Sequence, residues 1–243
     1  MAHGSDFYTV VDVGNTRVKI AVYQNDVLLD LQVFNVSDMD EIKCNDLKKL
    51  EQVIFSSVTN DEINQKLIDK IQPKLIMSSN INLPIALSAY QTPHTLGVDR
   101  IANAVAVNYL KNTTYGLAID LGTCIKYDLV HSDYGFLGGA ISPGLKMRFK
   151  AMHHFTGKLP LIEPGNPNWL GTSSNECMQS GVVNGIINEL NGFIDQYYQQ
   201  YQHLTIFLTG GDAKRFDKAL KNSIFVDENL TLFGLYLILK YNA

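Results

Sequence analysis

The sequence predicts an α/β protein made of two similar lobes. Each half of the chain opens with segments rich in Val, Ile, Tyr and Thr that are separated by turns, a pattern typical of antiparallel strands. Each half then alternates strand-length apolar segments with segments whose apolar residues recur at helical spacing. Both halves also begin with an acidic turn of the form Asp-x-Gly, which indicates an internal duplication.

The first half is expected to form a three-stranded antiparallel meander followed by α/β units. In the second strand of the meander, Val18, Ile20 and Val22 alternate with other residues at the period of a half-buried strand. The predicted elements are strands over 7–13, 17–23 and 27–34, a helix over 38–50, a strand over 52–58, a helix over 61–71 and a strand over 74–77.

The second half is expected to repeat this order after a linking helix over 96–110. Ser142 and Pro143 suit the N-cap and first position of another helix. The remaining predicted elements are strands over 117–121, 125–130 and 136–141, a long helix within 171–201, a strand over 204–209, a helix over 213–220, a strand over 223–226 and a helix over 230–241. We expect lobes of residues 6–112 and 113–243, with a cleft between them.

Composition excludes several classes of partner. Hydrophobic residues make up 46% of the chain and charged residues 18%, with a net charge of −4, so no broad basic face is expected to attract nucleic acid or an anionic membrane. Cys44, Cys124 and Cys177 form no CxxC pair and no zinc spacing, which favours a reduced intracellular protein. The start lacks signal-peptide character, and the apolar stretch 230–239 is too short to span a bilayer. We therefore expect a cytoplasmic protein.

The first acidic turn is a candidate phosphate site. Gly14 allows backbone N–H groups to approach a phosphate closely, and Thr16 adds a hydroxyl donor. Asp12, at the strand end, suits a hydrated Mg²⁺, and Lys19 lies on the polar face of the next strand. An ordinary Gly-Asn hairpin with a solvated lysine explains this segment equally well on its own.

The second acidic turn favours the phosphate site over the ordinary hairpin. Asp120, Gly122 and Thr123 repeat the pattern at the equivalent place in the other half of the chain. Turn chemistry alone does not readily explain two such turns. Together they favour a phosphate-binding cleft that holds a triphosphate from both sides.

A third candidate site opens the linking helix. Asp99 could accept a proton from a substrate hydroxyl, and Arg100 could bind an anionic group of the substrate. The alternative is that Asp99 is only a helix N-cap and Arg100 a surface charge.

Three further segments are more often caps or turns than sites. Ser173 and Glu176 have the spacing of a capping box, which would leave the hydroxyl of Thr172 free to reach a ligand. The glycine-rich segment 138–144 leads into a predicted helix N-terminus, and the segment 209–212 follows a late strand.

These motifs, in this order, resemble the type III pantothenate kinases, which belong to the superfamily of actin, sugar kinases and heat-shock chaperones. The resemblance extends from Val10 to about Tyr241 and implies a duplicated, ribonuclease H-like (actin-like) fold with ATP in the cleft. Its motifs are the segments 12–19, 97–100, 120–123, 138–144 and 171–174, and the segment 155–160 is also similar to the family. Cys124 departs from the Ala that the family often has at this place, with little expected effect.

The resemblance implies roles for individual residues. It implies ATP binding by Asp12, Val13, Gly14, Asn15, Thr16, Arg17, Val18, Lys19 and Thr123, with Mg²⁺ held by Asp12 through water. It implies pantothenate binding by Tyr90, Gly97, Val98, Asp99, Arg100 and Thr172, with Asp99 as the proton acceptor. It further implies a monovalent cation, K⁺ or NH₄⁺, at Asp120 and a homodimeric enzyme. Among these residues Tyr90 is the one that the surrounding sequence anchors least, because a lone Tyr at this place is as often packing.

The expected activity is ATP-dependent phosphorylation of pantothenate, the first step of coenzyme A synthesis. A sugar or amino-sugar kinase of the same fold is an alternative, as is a non-catalytic regulatory protein on this scaffold. An apolar stripe on the long helix also suggests a dimer, because it is wider than one core face needs. The stripe consists of Val182, Val183, Ile186, Ile187, Leu190, Phe193 and Ile194.

Overall fold

The computed structural model describes residues 7–41, 52–59, 61–78, 81–221 and 224–243. The chain forms two compact units. Unit 1 contains Met1–Tyr109, Tyr134–Phe136 and Leu230–Ala243, and unit 2 contains Leu110–Asp133 and Leu137–Asn229. The expected division into 6–112 and 113–243 differs from this one chiefly in the C-terminal helix, which groups with the first unit.

The described strands and α-helices follow the predicted order. The strands are β1 (Tyr8–Val13), β2 (Arg17–Gln24), β3 (Val27–Asn35), β4 (Gln52–Ser57), β5 (Leu75–Ile76), β6 (Tyr115–Leu121), β7 (Cys124–His131), β8 (Gly135–Pro143), β9 (Leu204–Thr209) and β10 (Phe225–Val226). The helices are α1 (Asp61–Ile71), α2 (Val98–Leu110), α3 (Leu145–His154), α4 (Ser174–Gln200), α5 (Ala213–Phe216) and α6 (Leu230–Tyr241). No helix among the described residues is both long enough and apolar enough to cross a bilayer.

The described strands form two five-stranded sheets of the same topology, which confirms the internal duplication. The order is β3-β2-β1-β4-β5 in the first sheet and β8-β7-β6-β9-β10 in the second. In both, the central strand pairs antiparallel with the strand that follows it and parallel with the fourth strand. The carboxyl ends of β1 and β6 therefore occupy equivalent places, and each carries an acidic turn.

Unit 1 buries both faces of its sheet. Val11, Val18 and Phe55 pack with Leu67 of α1 on one face. On the other face α6 contacts β1 and β4, and Tyr236 stacks on Tyr23 with ring centroids 4.7 Å apart. Apolar groups leave water on both sides of the sheet, which is the main stabilising term of such a layered unit.

The β2–β3 turn fixes α6 to unit 1. Asp26, with a φ of 63°, accepts hydrogen bonds from Tyr236 Oη at 2.7 Å and Lys240 Nζ at 2.6 Å. These bonds hold the pKa of the Asp26 carboxyl below its ordinary value, and the bond from Lys240 has the larger effect. Where α6 crosses α2, a Cβ on Gly234 would lie 1.9 Å from the carbonyl oxygen of Ala102, so only glycine permits this approach.

A core of the described part of unit 2 lies between its sheet and the helices α3, α4 and α5. The stripe on α4 belongs to this core: Val182, Val183, Ile186, Leu190 and Ile194 are buried, while Ile187 and Phe193 pack against them half-buried. The stripe therefore gives no support to a dimer, because the unit itself covers it.

Three local predictions are wrong or incomplete. Ser142 and Pro143 belong to β8, and α3 begins at Leu145 with Gly144 as its N-cap, because the Ser142 hydroxyl is bonded to Glu189 of α4 instead. The predicted helix over 38–50 is a 3₁₀ helix at Val36–Glu41, and residues 42–50 lie outside the described part of the chain. The predicted helix over 213–220 is α5 followed by a 3₁₀ turn.

Candidate active site

The first acidic turn is a tight link between β1 and β2. The N–H of Gly14 donates to the carbonyl of Arg17 at 2.9 Å. Asn15, Thr16 and Arg17 are exposed, so their backbone and side chains are accessible to a ligand. Two predicted ATP-binding residues, Val13 and Val18, have fully buried side chains, which leaves only their backbone groups for such a role.

Asp12 and Lys19 face each other across this turn. They are directly paired in the antiparallel register of β1 and β2, where side chains of opposite residues lie side by side. Both are half-buried. A half-buried carboxylate beside exposed backbone N–H groups fits a hydrated Mg²⁺, which needs few protein carboxylates and takes its other oxygens from water and phosphate.

The second candidate group lies at the start of α2. The carbonyl of Gly97 accepts the N–H of Ile101 at 3.1 Å, so Gly97 is the N-cap and Asp99 lies inside the first turn. Asp99 Oδ1 accepts the N–H of Arg100 at 2.8 Å. A Cβ on Gly97 would lie 2.8 Å from that oxygen, so the glycine makes room for the carboxylate. The interpretation of Asp99 as the N-cap is therefore wrong.

Phe136 brings Arg100 and Tyr90 together within unit 1. Arg100 is 7% exposed, and its guanidinium carbon lies 5.3 Å from the centre of the Phe136 ring. Tyr90 meets the same ring edge-on, with centroids 5.2 Å apart. A guanidinium over an aromatic face is held by a cation–π interaction, which orients it without neutralising its charge. Sequence reasoning missed Phe136, because nothing around it distinguishes it from a strand residue.

A glycine with left-handed backbone geometry holds Phe136 in this place. Gly135 has a φ of 72°, and a Cβ there would lie 2.1 Å from the carbonyl oxygen of Ala86. That carbonyl accepts the N–H of Phe136 at 2.9 Å. The start of β8 is thus attached to the loop that carries Tyr90, which explains why Tyr134–Phe136 groups with unit 1.

The second acidic turn connects β6 and β7 in unit 2. Asp120 is 8% exposed, and Thr123 is exposed at the turn itself. Lys126 Nζ lies 2.7 Å from Asp120 Oδ2 in a salt bridge whose two side chains are only 14% and 11% exposed. Sequence reasoning missed Lys126, although its place in the strand pairing is the same as that of Lys19 in unit 1.

Two glycine-rich segments close around this turn. The N–H of Gly144, at the start of α3, donates to the carbonyl of Thr123 at 3.0 Å. Gly210, with a φ of 93°, approaches Asp120 so closely that a Cβ would lie 2.5 Å from Oδ1. The N–H of Asp212 donates to the carbonyl of Leu121 at 3.0 Å. Segments expected to be caps or turns thus lie against the Asp120 turn.

Thr172 precedes α4 and is exposed. Ser173 is the N-cap and its hydroxyl accepts the N–H of Glu176 at 3.3 Å, as predicted. Both the N–H and the hydroxyl of Thr172 donate to Glu176 Oε2 at 2.7 Å. The prediction that this hydroxyl is free to reach a ligand is therefore wrong. The backbone N–H bond from Thr172 is the first cause that lowers the pKa of Glu176.

A partly buried polar cluster in unit 2 is centred on Glu189 of α4. Glu189 of α4 accepts hydrogen bonds from Ser142, from Tyr127 at 3.1 Å and from Arg148. Burial raises the pKa of Tyr127, which therefore keeps its proton and stays a donor. The cluster ties β7, β8 and α3 to α4.

The site residues thus fall into two groups. Unit 1 carries the Asp12–Lys19 turn and the group of Tyr90, Asp99 and Arg100, and unit 2 carries Asp120, Thr123 and Thr172. In the described part of the chain no three or more His, Cys, Asp or Glu side chains are grouped as a metal site.

Comparisons with known proteins agree with this arrangement. A family model described as type III pantothenate kinase matches residues 8–196. A type III pantothenate kinase from Christiangramia forsetii is 46% identical over 239 residues, covering 96% of this chain and 98% of that protein. One from Cytophaga hutchinsonii is 39% identical over 235 residues, covering 96% of this chain and 99% of that protein. A glucokinase from an Antarctic psychrotroph superposes with a TM-score of 0.53 at 12% identity, covering 99% of this chain and 100% of that chain. At this identity the likeness concerns the fold alone, and the expected two-lobed, actin-like α/β fold is confirmed.

Proposed function

The chain belongs to the type III pantothenate kinase family, and we propose that it transfers the γ-phosphoryl group of ATP to the primary hydroxyl of pantothenate. The products are ADP and 4′-phosphopantothenate, and the reaction is the first step of coenzyme A synthesis. The observation that carries this proposal, beside the family, is the assembly at the start of α2. There a carboxylate and an aromatic-held guanidinium follow one another in a single helical turn.

Asp99 acts as the proton acceptor in this proposal. The pantothenate hydroxyl oxygen forms a bond to the γ-phosphorus while the bond from that phosphorus to the β–γ bridging oxygen breaks. The hydroxyl proton moves to the Asp99 carboxylate, and ADP leaves with the bridging oxygen. Asp99 Oδ1 accepts the N–H of Arg100, which orients the carboxylate at the start of α2 for this proton transfer.

Arg100 binds the carboxylate of pantothenate. Its guanidinium is nearly buried and lies over Phe136, so little rotamer freedom is lost when it pairs with an anion. Tyr90 meets the same ring edge-on, and in this proposal it contacts pantothenate beside Arg100. Gly97, Val98 and Thr172 complete the proposed substrate contacts. The Thr172 hydroxyl donates its hydrogen to Glu176, so its oxygen acts as the hydrogen-bond acceptor for the substrate.

The phosphates of ATP bind at the two acidic turns. The exposed residues Asn15 and Thr16 offer backbone N–H donors, and Lys19 offers a point charge. Thr123 offers an exposed hydroxyl at the second turn. The kinase family implies ATP and a divalent metal, which neutralises charge on the transferred phosphoryl group, and Asp12 would hold it through water. The monovalent cation at Asp120 stays a prediction. The ammonium group of Lys126 already lies 2.7 Å from the carboxylate that would bind this cation.

A homodimer and a cytoplasmic location complete the proposal. The dimer draws support from exposed apolar side chains in unit 2, not from α4: Phe155, Trp169 and Leu170 are 81%, 74% and 77% exposed. Large apolar side chains exposed to this degree are candidates for burial in a protein interface. Light scattering that finds an active monomer at assay concentration would contradict the dimer. A cytoplasmic location accords with a kinase of coenzyme A synthesis.

A coupled assay of ADP release tests the function. With Mg-ATP, pantothenate should be turned over, while glucose and N-acetylglucosamine should give the background rate of ATP hydrolysis. Turnover of a sugar but not pantothenate would assign the chain to the sugar-kinase alternative. ATP binding without turnover of any substrate would favour the regulatory alternative. Mass spectrometry of the product should show one added phosphoryl group on pantothenate.

A further inference from the structure

The carboxylate of Asp120 already has a cation beside it. Lys126 Nζ lies 2.7 Å from Oδ2, and both side chains are largely withdrawn from solvent. On the other side of the carboxylate, the backbone of Gly210 approaches Oδ1 so closely that a Cβ would lie 2.5 Å away. A monovalent cation bound to Oδ2 would meet the ammonium group at short range, and like charges repel strongly where water is excluded.

The register of the sheet explains why the lysine is there. Asp120 and Lys126 are directly opposite in the β6–β7 pairing, as Asp12 and Lys19 are in the β1–β2 pairing of the other unit. Opposite residues of antiparallel strands have adjacent side chains, so a lysine at this position reaches the carboxylate without distortion. The duplicated fold thus places an Asp–Lys pair at the end of the central strand in both units.

An ammonium group can perform the task expected of a monovalent ion here. It carries the same charge, and it has three donors that can be shared between a carboxylate and a phosphate oxygen. Unlike a dissolved ion, it is attached to the strand and is present at any salt concentration.

We propose that Lys126 is the built-in cation of the Asp120 turn, so that this enzyme needs no K⁺ or NH₄⁺. Lys126 is a positioning residue in this proposal: it neutralises Asp120 and lets the phosphates of ATP approach the second turn. The proposal rests on the proposed kinase function for its activity test, but its binding test does not depend on that function.

The activity test compares cations at constant ionic strength with Mg-ATP and pantothenate. The wild-type rate should be the same in Na⁺ and in K⁺ or NH₄⁺. In Na⁺, Lys126→Met should lose about 10²-fold in kcat/KM for ATP, because the Asp120 charge then opposes the approach of the phosphates. K⁺ or NH₄⁺ should restore much of this loss, because the vacated carboxylate can then bind a dissolved ion. Lys126→Arg keeps the charge and should stay independent of K⁺.

Lys214→Met is the matched control. Lys214 also pairs with a carboxylate in unit 2, Glu228, but its side chain is 73% exposed. Its loss should change neither the rate nor the cation dependence. If Lys126→Met does not fold, Lys126→Gln, which keeps a polar donor of similar length, takes its place, and the wild-type comparison stands without either variant.

The binding test uses rubidium as a heavy stand-in for potassium. Crystals grown in RbCl should show no anomalous peak at Asp120 in the wild type and a peak there in Lys126→Met. A peak at Asp120 in the wild type, or a several-fold activation of the wild type by K⁺, would overturn the proposal. So would a Lys126→Met enzyme that is fully active in Na⁺. Failure of pantothenate turnover in every buffer would instead contradict the proposed function, and the rubidium experiment would still decide the cation question.

Discussion

Asp99 is the residue on which the proposed chemistry depends most. Its Oδ1 accepts the N–H of Arg100, a bond that the amide oxygen of Asn accepts equally well, and Gly97 leaves space for either side chain. Asp99→Asn should therefore keep the fold but lose the proton acceptor, with kcat falling by about 10²–10⁴-fold. The measurement is kcat with saturating pantothenate, together with the melting temperature.

Asp30→Asn serves as the control for that experiment, because Asp30 is an exposed residue of β3 and should leave kcat unchanged. If Asp99→Asn keeps a normal kcat, the proton acceptor lies elsewhere and Asp99 serves only the local structure of the helix start.

Thr209 gives a residue-scale prediction about stability. Its hydroxyl is fully buried in unit 2 and has no hydrogen-bond partner within the described residues. An unsatisfied buried hydroxyl costs free energy, so Thr209→Val, which keeps the side-chain shape, should raise the free energy of unfolding by about 1 kcal/mol. On the same strand, the Thr205 hydroxyl is hydrogen-bonded to the Thr113 hydroxyl at 2.8 Å. Thr205→Val removes this bond and should lower the free energy of unfolding by about 1 kcal/mol. Urea unfolding measures both, and a destabilised Thr209→Val would mean that its hydroxyl has a partner.

At the residue scale, the sequence predicted the positions of site residues along the strands better than it predicted their side-chain contacts. The register places Asp12 and Lys19 as expected, because turn position and alternation fix a hairpin. Phe136 and Lys126 were missed, since each acts through a neighbour that is distant in sequence or unremarkable within its strand. The engagement of the Thr172 hydroxyl by Glu176 was missed for a related reason: capping-box spacing does not say which N–H or O–H group the glutamate accepts.

At the scale of elements, the contact between the β2–β3 turn and α6 is open to test by pH. Asp26→Asn should lower the free energy of unfolding at neutral pH by about 1 kcal/mol, a modest value because Lys240 and Asp26 are 45% and 38% exposed. The pKa of Asp26 is lowered from 3.8, chiefly by Lys240, so the contribution is present above pH 3.8 and is lost as pH falls through the lower folded-state pKa. The pKa of Lys240 is raised from 10.5, so the contribution is also lost as pH rises above that value.

Urea unfolding of the wild type and Asp26→Asn between pH 2 and 11 measures this difference, with Asp30→Asn on the same hairpin as the control. A difference that stays constant through the acid limb would show that the Asp26 charge does not stabilise the contact.

Element boundaries were predicted where a period or a turn fixes them. The strands of both meanders follow from alternation and from the turns between them. The helix expected at Ser142 failed because residue preference for an N-cap is a local signal, and the bond from Ser142 to Glu189 lies 47 positions away in sequence.

At the scale of the whole molecule, the one element that the sequence could not assign is α6. An amphipathic helix shows which face it buries, but Leu230, Leu232, Leu235 and Ile238 are all fully buried and lie around most of the helix. Such a helix has no polar face to indicate which sheet it covers. Chain order placed it with the second lobe, whereas its contacts with β1, β4 and the Asp26 turn place it in unit 1.

A chain that ends at Asn229 tests this assignment. Without α6, one face of the first sheet is exposed to water, since that helix buries Tyr23 and contacts β1 and β4. Amides of β1, β2 and β4 should therefore exchange with deuterium far faster than in the full chain, while amides of β6, β7 and β9 keep slow exchange, because their core is made by α3, α4 and α5. Gly234→Leu in the full chain should act in the same direction, since its Cβ would collide with the Ala102 carbonyl. Mass spectrometry of deuterium uptake resolves the two sets of strands. Slow exchange retained on β1 and β4 in the shortened chain would contradict the assignment, and fast exchange confined to β6 and β9 would place α6 with the second unit.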